Sequence, residues 1–339
     1  MRTTDFDYSL PEERIAQRPA KPRDSSRLLV FNRDNDHVEH RIFHQLPDYL
    51  NSNDVLVLNE TRVIPARLKA RKIPGGGRAE VLLLHRLREM TWEVMVGGSG
   101  LKPGRKLQVL NGPQAEIRED LGRARRVIVF SEAISPLLDR LGEMPLPPYI
   151  HAPLEDHCEY QTTFARYPGS AAAPTAGLHF TPNTLTSIED KGVRIAKITL
   201  HVGLDTFVPV REDDPNKHPI HSEWCQVPQD VVQAIKAARA AGGKVVAAGT
   251  TTVRALETAA RIIPQQDISP FEGPTSLYIL PGFDFRVVDA MLTNFHLPRS
   301  TLLMMVSAFA SREQILPLYK MAAIEGYRFY SFGDAMLIL

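Results

Sequence analysis

A chain of 339 residues is longer than one hydrophobic core usually serves, so two domains are expected. Its 43% hydrophobic and 23% charged residues fit a water-soluble globular protein, and with neither a leader-like apolar segment nor an apolar run of membrane length, a membrane span is excluded. Cys158 and Cys225 are too few for a disulfide framework, which makes a reducing, cytoplasmic setting the expectation, and a net charge of +1 gives no overall pull toward a polyanion.

Residues 5–17, DFDYSLPEERIAQ, predict a short extended segment and then a helical turn, with Ser9 and Glu12 in capping-box spacing and Pro11 in the first turn. The prolines of PAKPRDSSRLLVFNR keep the chain extended until LLVF enters a strand. Just ahead of that strand, Arg23, Asp24, Ser25, Ser26 and Arg27 form a polar knot that suits either a turn with surface ion pairs or a ligand contact. HRIFHQLPDYL reads as a short helix or loop, and DVLVLNETRVIPARL as an apolar strand that stops at Asn59, Glu60, Thr61 and Arg62. Polar residues directly after the carboxyl end of a buried strand commonly touch ligands in α/β sheets, so Asn59, Thr61 and Arg62 are candidates for a pocket, with a plain turn as the alternative.

From Arg62 onward the pattern changes to short alternating stretches, ARLKARKI, AEVLLLHRL, TWEVMVGG, KLQVL, AEIRE and RRVIVF, separated by Gly, Pro and Asn. These predict a small all-β barrel or sandwich, followed by a helix in ISPLLDRLGEM and closed by proline-rich MPLPPYIH. Apolar strands of α/β type lie on both sides. The expected organisation is therefore a main α/β domain of residues 1–61 and 149–339, interrupted by an inserted β-barrel domain of residues 62–148. Residues 62–130 hold 15 Lys and Arg against 6 Asp and Glu, a net +9, while the remainder holds 25 against 33, a net −8. Local field rather than net charge decides where phosphates settle, so this split points to a polyanionic partner; a solvated β-surface is the alternative.

Between Tyr167 and Trp224 lie four histidines, His179, His201, His218 and His221. Gly169, Ser170, Ala171 to Ala173 and Gly177 let backbone approach a ligand closely, and Thr175, Thr181, Thr206 and Ser222 supply hydroxyls to orient one. A single such histidine is most often half-buried and idle, but the cluster favours a polar small-molecule pocket. No pair has HExxH or CxxC spacing and Cys225 has no near thiol, so no metal site is expected.

PQDVVQAIKAARAAGG reads as a helix ended by Gly242 and Gly243. KVVAAGTTTVRALETAAR then gives a buried strand, a turn at Gly249 with Thr250, Thr251 and Thr252, and a second helix. Its free N–H groups and positive dipole end suit a carboxylate or phosphate, with an ordinary helix cap as the alternative. VVDAMLTNFHLPRSTLLMMVSAFA repeats the device: a strand runs into Thr293, Asn294, Phe295 and His296, and a helix starts between Pro298 and Thr301. Tyr327, Phe329, Tyr330 and Phe332 approach a final strand, where core packing is favoured over base stacking.

Read together, these stretches resemble the S-adenosylmethionine:tRNA ribosyltransferase-isomerases, the family that makes epoxyqueuosine in bacterial tRNA. The resemblance is carried by SLPEERIAQRP and RDSSRLLV within residues 9–30, DVLVLNETRVIPARL at 54–68, YQTTFARYPGSAAAPTAGLHFT at 160–181 and TLHVGLDTFVPV at 199–210. HSEW at 221–224, GTTTVRALE at 249–257, TNFHLPRSTLLMMVSAFA at 293–310 and YRFYSFGDAMLIL at 327–339 complete it, in order along nearly the whole chain. Leu204 and Asp205, after HVG, vary from the small Gly or Ala that also occur there.

The resemblance implies an α/β domain with an inserted β-barrel. It also implies that S-adenosylmethionine is consumed as a ribosyl donor, with no resident cofactor and no metal. The acceptor would be the 7-aminomethyl-7-deazaguanine base at the tRNA wobble position, and the partners are that tRNA and S-adenosylmethionine, met by a monomer away from any membrane. A sulfonium acidifies its neighbouring carbon, so a base near neutrality and a proton donor to departing adenine are needed. His179 and His201 are the candidates, with His221 or His296 as alternates, and Glu223 is a candidate acceptor for the substrate amine's proton. The methionyl carboxylate is expected at the Thr250–Thr252 helix start near Arg254, and the sulfonium near Phe180 or Phe207. Thr175, Gly203, Thr206, Asn294 and His296 join Asn59, Thr61 and Arg62 as further expected substrate contacts. The barrel's Arg and Lys residues would hold phosphates while the modified base leaves its stack.

Overall fold

The LLVF run is strand β1 (Arg27–Asn32), antiparallel to β2 (His37–Ile42), and the VLVL run is β3 (Val55–Asn59). Every residue of β3 is buried. A parallel strand covered on both faces needs an unbroken apolar run, and this is why the sequence here does not alternate. The computed structural model describes residues 1–203, 210–220, 222–264 and 267–339. They form two compact units, one of Met1–Thr61, Pro148–Tyr167 and Ala173–Leu339, the other of Arg62–Pro147 and Pro168–Ala172.

After β4 (Thr61–Val63), the six alternating stretches become β5 (Arg67–Ile73), β6 (Arg78–Arg86), β7 (Thr91–Gly97), β8 (Lys106–Val109), β9 (Gln114–Asp120) and β10 (Arg125–Phe130). Their antiparallel ladder closes on itself, because β5 pairs with β6 along one edge and with β8 along the other. Leu68, Ala70, Val81, Leu83, Val94, Leu107 and Ile117 fill the interior, while their sequence neighbours alternate outward. The expected helix in ISPLLDRLGEM shrinks to a 3-10 turn and the single turn α1 (Leu138–Leu141), bounded by Pro136 and by Gly142. Gly142 opens β11 (Gly142–Glu143), which joins β5 beside β8; a Cβ there would lie 1.9 Å from the Pro65 carbonyl oxygen, so only glycine fits. The unit also takes in most of β12 (Tyr167–Ser170), where the Ser170 carbonyl accepts from the Ile64 amide at 2.9 Å.

The α/β unit continues through α2 (Pro182–Asp190), β13 (Arg194–Leu200), β14 (Glu223–Val227), α3 (Gln229–Ala240), β15 (Val245–Ala248) and α4 (Thr250–Ala259). It ends with β16 (Phe271–Thr275), β17 (Ala290–Asn294), α5 (Thr301–Phe309), α6 (Arg312–Ile324) and β18 (Ala335–Ile338). Among the described residues, nine strands form one sheet in the order β16-β14-β13-β3-β15-β17-β18-β1-β2. Its centre, β13-β3-β15-β17, is parallel. On one face Leu56, Leu58, Val246, Ala248, Leu292 and Leu337 pack with Phe43, Leu46, Phe180 and Ile188 of α2. The alternate residues Val55, Val57, Val245 and Ala247 point to the other face, where α3 and α4 lie.

Two local expectations change. The turn after Ser9 is a 3-10 turn over Glu12–Arg14 whose N-cap is Pro11, already extended at φ −63 and ψ 139, so Ser9 has no capping role. Strand β2 appears where a helix or loop was expected to begin; it is a sheet edge with exposed His37, His40 and Arg41, so its sequence lacks an apolar strand pattern. The aromatic approach to β18 is core: Tyr327, Phe329, Tyr330 and Phe332 are all buried.

Gly243, between α3 and β15, faces the Asn53 carbonyl, and an added Cβ would lie 2.0 Å from that oxygen. Gly243→Ala is expected to lower the stability of the α/β unit by about 1–3 kcal/mol, read as a lower urea midpoint with an unchanged slope.

Candidate active site

Four parallel strands bring their carboxyl ends to one edge of the sheet, and each ends in a polar residue or a turn. At the end of β3 the Asn59 side chain continues the ladder. Its Oδ1 accepts from the amides of Leu200 at 3.0 Å and Thr61 at 3.2 Å, and its Nδ2 donates to the Leu200 carbonyl at 3.0 Å and the Thr251 hydroxyl at 3.3 Å. At the end of β15, Gly249 adopts φ +94, in the left-handed region that favours glycine, and turns the chain into α4. Gly249, the N-cap residue, brings no side-chain cap to this helix, and the Thr252 hydroxyl donates back to the Ala248 carbonyl at 2.7 Å. A helix start of this kind presents amide donors and a partial positive charge.

A small cleft, with about 30 Å³ of accessible space, lies over this edge. It is lined by Ala173 to Ala176, Val202 and Leu302 and by the strand-end residues Gly249, Thr250, Thr251, Thr293, Asn294 and His296, so apolar and polar groups share it.

The histidines separate by environment. His179 ends a 3-10 turn, is 4% exposed, and stacks on Phe43 at 4.9 Å. Its Nδ1 lies 2.7 Å from the Ser26 hydroxyl and its Nε2 3.2 Å from Asn294 Nδ2. An amide nitrogen only donates, so Nε2 accepts and the proton sits on Nδ1. Burial, with Arg328 and Arg23 nearby, pushes the His179 pKa down to about 3, and burial does the same to His296, whose Nε2 lies 2.8 Å from the Thr293 hydroxyl. Both rings are therefore neutral at neutral pH, which takes His179 out of the range expected of a general base. His201 is half-buried beside the cleft residue Val202; it stacks on Trp224 at 5.1 Å and its Nδ1 lies 2.8 Å from the Thr61 hydroxyl. His218 pairs with Glu212 at 2.7 Å, and this contact lowers the Glu212 pKa.

Arg254 and Glu223 are both buried and are paired with each other: Arg254 Nη1 donates to Glu223 Oε2, and Nε donates to the Leu277 carbonyl at 3.1 Å. The second Glu223 oxygen accepts from the Gly203 amide at 2.8 Å. Two of the three Arg254 nitrogens are thus engaged inside the protein, its Nη2 is buried without a partner among the described residues, and Glu223 is a clamp on the Gly203 backbone. Phe180 is fully buried against Phe43 and Phe164, so its ring belongs to the core and not to the cleft. Arg62 is exposed on the barrel unit. Thr206, Phe207 and His221 lie outside the described residues. Of the expected contacts, the structure gathers Thr175, Thr250, Thr251, Asn294 and His296 in one cleft, with Asn59 reaching it through Thr251 and Thr61 through His201. Sequence reasoning missed Val202, Leu302 and Thr293 as cleft residues, and the role of Ser26. The Ser26 polar knot docks on the histidine-rich segment, with Asp24 accepting from Thr181 at 2.6 Å and Thr184 at 2.9 Å. Among the described residues, no three His, Cys, Asp or Glu side chains converge as a metal site, and no helix is long and apolar enough to cross a membrane.

The model of a family described as "Queuosine biosynthesis protein" matches residues 3–338. A protein of Moorella thermoacetica named S-adenosylmethionine:tRNA ribosyltransferase-isomerase is 51% identical over 100% of both chains, and one of the same name from Symbiobacterium thermophilum is 50% identical, also over 100% of both. The crystal structure of an S-adenosylmethionine tRNA ribosyltransferase from Thermotoga maritima aligns with a TM-score of 0.58 and 40% identity, covering 99% of this chain and 100% of that one.

Glu223→Gln leaves the buried Arg254 charge unmatched and is expected to cost about 3–5 kcal/mol, with most of the loss recovered when Arg254 is also replaced by Met; urea melts of the single and double variants measure both. The depressed pKa values of His179 and His296 fix a sign for acid stability. Each ring is neutral when folded and gains its proton only when unfolded, so stability is full above the ordinary value of 6.5 and is lost as pH falls from there toward about 3. A His179→Gln variant is expected to show a shallower loss in that window in pH-dependent melts.

Proposed function

The chain belongs to the queuosine biosynthesis protein family, and from that premise we propose that it transfers and isomerises the ribosyl moiety of S-adenosylmethionine onto tRNA. The acceptor is the amine of 7-aminomethyl-7-deazaguanine at the wobble position, the product is epoxyqueuosine in tRNA, and adenine and methionine are released. The observation that carries this reading is the cleft itself. It combines a helix start, suited to a carboxylate, with small apolar residues in a chain half identical to relatives named for this reaction.

In this reading the methionyl carboxylate lies at the first amides of α4, and the ribose and adenine lie along Ala176, Val202 and Leu302. Proton removal beside the sulfonium falls to His201. Its ring is half-buried, next to Val202, and oriented by the Thr61 hydroxyl. His221 is the second candidate for base or for acid to adenine. The neutral His296 lines the cleft, the neutral His179 holds Asn294, and Glu223 positions Gly203. Once the carbon next to sulfur is deprotonated, the ribose opens and adenine leaves with a proton; the neutral substrate amine attacks and gives up a proton, and the C–S bond breaks to release methionine as the epoxide closes.

Phosphate contact is assigned to the barrel. Arg67, Lys69, Arg118, Arg125 and Arg126 are paired with carboxylates, whereas exposed Arg71, Arg78 and Lys106 have no acidic partner among the described residues. Arg71 stands directly opposite Arg78, and Lys106 opposite Ile73, so the three share one outer face. Like charges placed opposite each other repel, an arrangement that a bound polyanion relieves.

Purified protein with S-adenosylmethionine and tRNA bearing the aminomethyl base is expected to release adenine and methionine in equal amounts, with the matching mass gain on the nucleoside. His201→Gln should cut kcat by about 10²–10⁴ and leave KM for S-adenosylmethionine within a few-fold. S-adenosylhomocysteine as product would refute ribosyl transfer, and an unchanged kcat would refute the role of His201. Replacing Arg71 and Arg78 by Gln is expected to raise KM for tRNA and to flatten the dependence of log KM on log salt by about one unit per lost phosphate contact.

A further inference from the structure

Asn294 is 2% exposed, borders the cleft, and has one hydrogen-bonding atom without a partner among the described residues, its Oδ1. The direction of its carboxamide is settled by its surroundings. Nδ2 lies 3.0 Å from the Tyr330 carbonyl, which only accepts, so the nitrogen must face that oxygen. The same nitrogen reaches His179 Nε2 at 3.2 Å, and His179 is held in turn by Ser26 at 2.7 Å. Both amide hydrogens are spent inside the protein. A flipped amide would set two acceptors against each other, so Oδ1 is a fixed, buried acceptor at the cleft.

An acceptor left unmatched in a buried place is costly, and a cationic donor is its strongest complement. The neighbouring strand supplies the other pole. β15 and β17 are adjacent, Ala248 is paired with Leu292, and the Gly249 amide donates to the Leu292 carbonyl at 2.7 Å. The start of α4 at Thr250 and Thr251 and the Asn294 side chain therefore line the same cleft from neighbouring strand ends. An anion site and a buried acceptor in one cleft are the two features that a zwitterionic α-amino acid needs. Resting on the placement of the methionyl carboxylate at α4, we propose that Asn294 Oδ1 accepts a hydrogen bond from the α-ammonium of S-adenosylmethionine, with His179 as the positioning residue that fixes the carboxamide. Asn294 thereby selects for an intact amino-acid tail.

The test uses the whole enzyme with its tRNA substrate and two competitive inhibitors, S-adenosylmethionine analogues lacking either the α-amino or the α-carboxyl group. The deamino analogue is expected to bind about ten- to a hundredfold more weakly than S-adenosylmethionine, the range for a hydrogen bond to a charged group. In Asn294→Leu, KM for S-adenosylmethionine should rise toward the Ki of that analogue, whose own Ki stays within about twofold of its wild-type value. Equal binding of the deamino analogue and the parent by wild type overturns the inference and needs no variant. Equal binding of the decarboxylated analogue overturns instead the carboxylate placement on which it rests.

Discussion

When two parallel strands diverge at the edge of a sheet, their last amides and carbonyls lose their ladder partners while still buried, and something must replace them. Here the replacement is the Asn59 side chain. The β3 and β13 ladder ends at the pair of Ile198 and Asn59, and beyond it the carboxamide takes both the amide and the carbonyl of Leu200. Its remaining capacity goes to the Thr61 amide and the Thr251 hydroxyl. One side chain thus ties two strand ends to the first turn of α4, and Thr61 passes the connection on to His201.

The far end of α4 is held by a different group. Glu257 is completely buried, yet its two oxygens accept from the amides of Arg286, Val287 and Val288 and from Arg261. A buried carboxylate supplied with this many donors locks the helix against the segment leading to β17. With its body anchored by Glu257 and its start tied to Asn59, α4 can leave its first amides without a capping side chain. The helix start and the buried acceptor on Asn294, which has no partner among the described residues, then meet at the cleft, which is where a ligand contributes most.

The same logic explains why His179 is neutral. Ser26, Asn294 and Tyr330 form a chain of directional hydrogen bonds that uses both nitrogens of His179 and holds the ring in one tautomer. A proton on Nε2 would place two donors face to face. His201 sits in a different setting, stacked on Trp224 and half-exposed, so the histidines differ in burial.

The pattern of single segments already decided much of this protein. The continuous apolar run of β3, the six alternating barrel strands, and the strand-turn-helix units around Gly249 and Asn294 are all visible in sequence, because periodicity and turn chemistry act over a few residues. The edge strand β2 was not visible, since an edge buries too little to impose an apolar pattern. Nor could the sequence tell His179 from His201, pair Arg254 with Glu223, send Phe180 to the core, or orient the amide of Asn294. Each of these depends on partners far away in the chain: Ser26 and Asn294 lie 153 and 115 residues from His179, and Glu223 lies 31 from Arg254. Local sequence determined which elements form and which polar residues end them. Only the tertiary structure decided which of those residues are buried, which are paired, and which are left to meet a ligand, because desolvation and hydrogen-bond geometry are properties of the assembled neighbourhood and not of any segment within it.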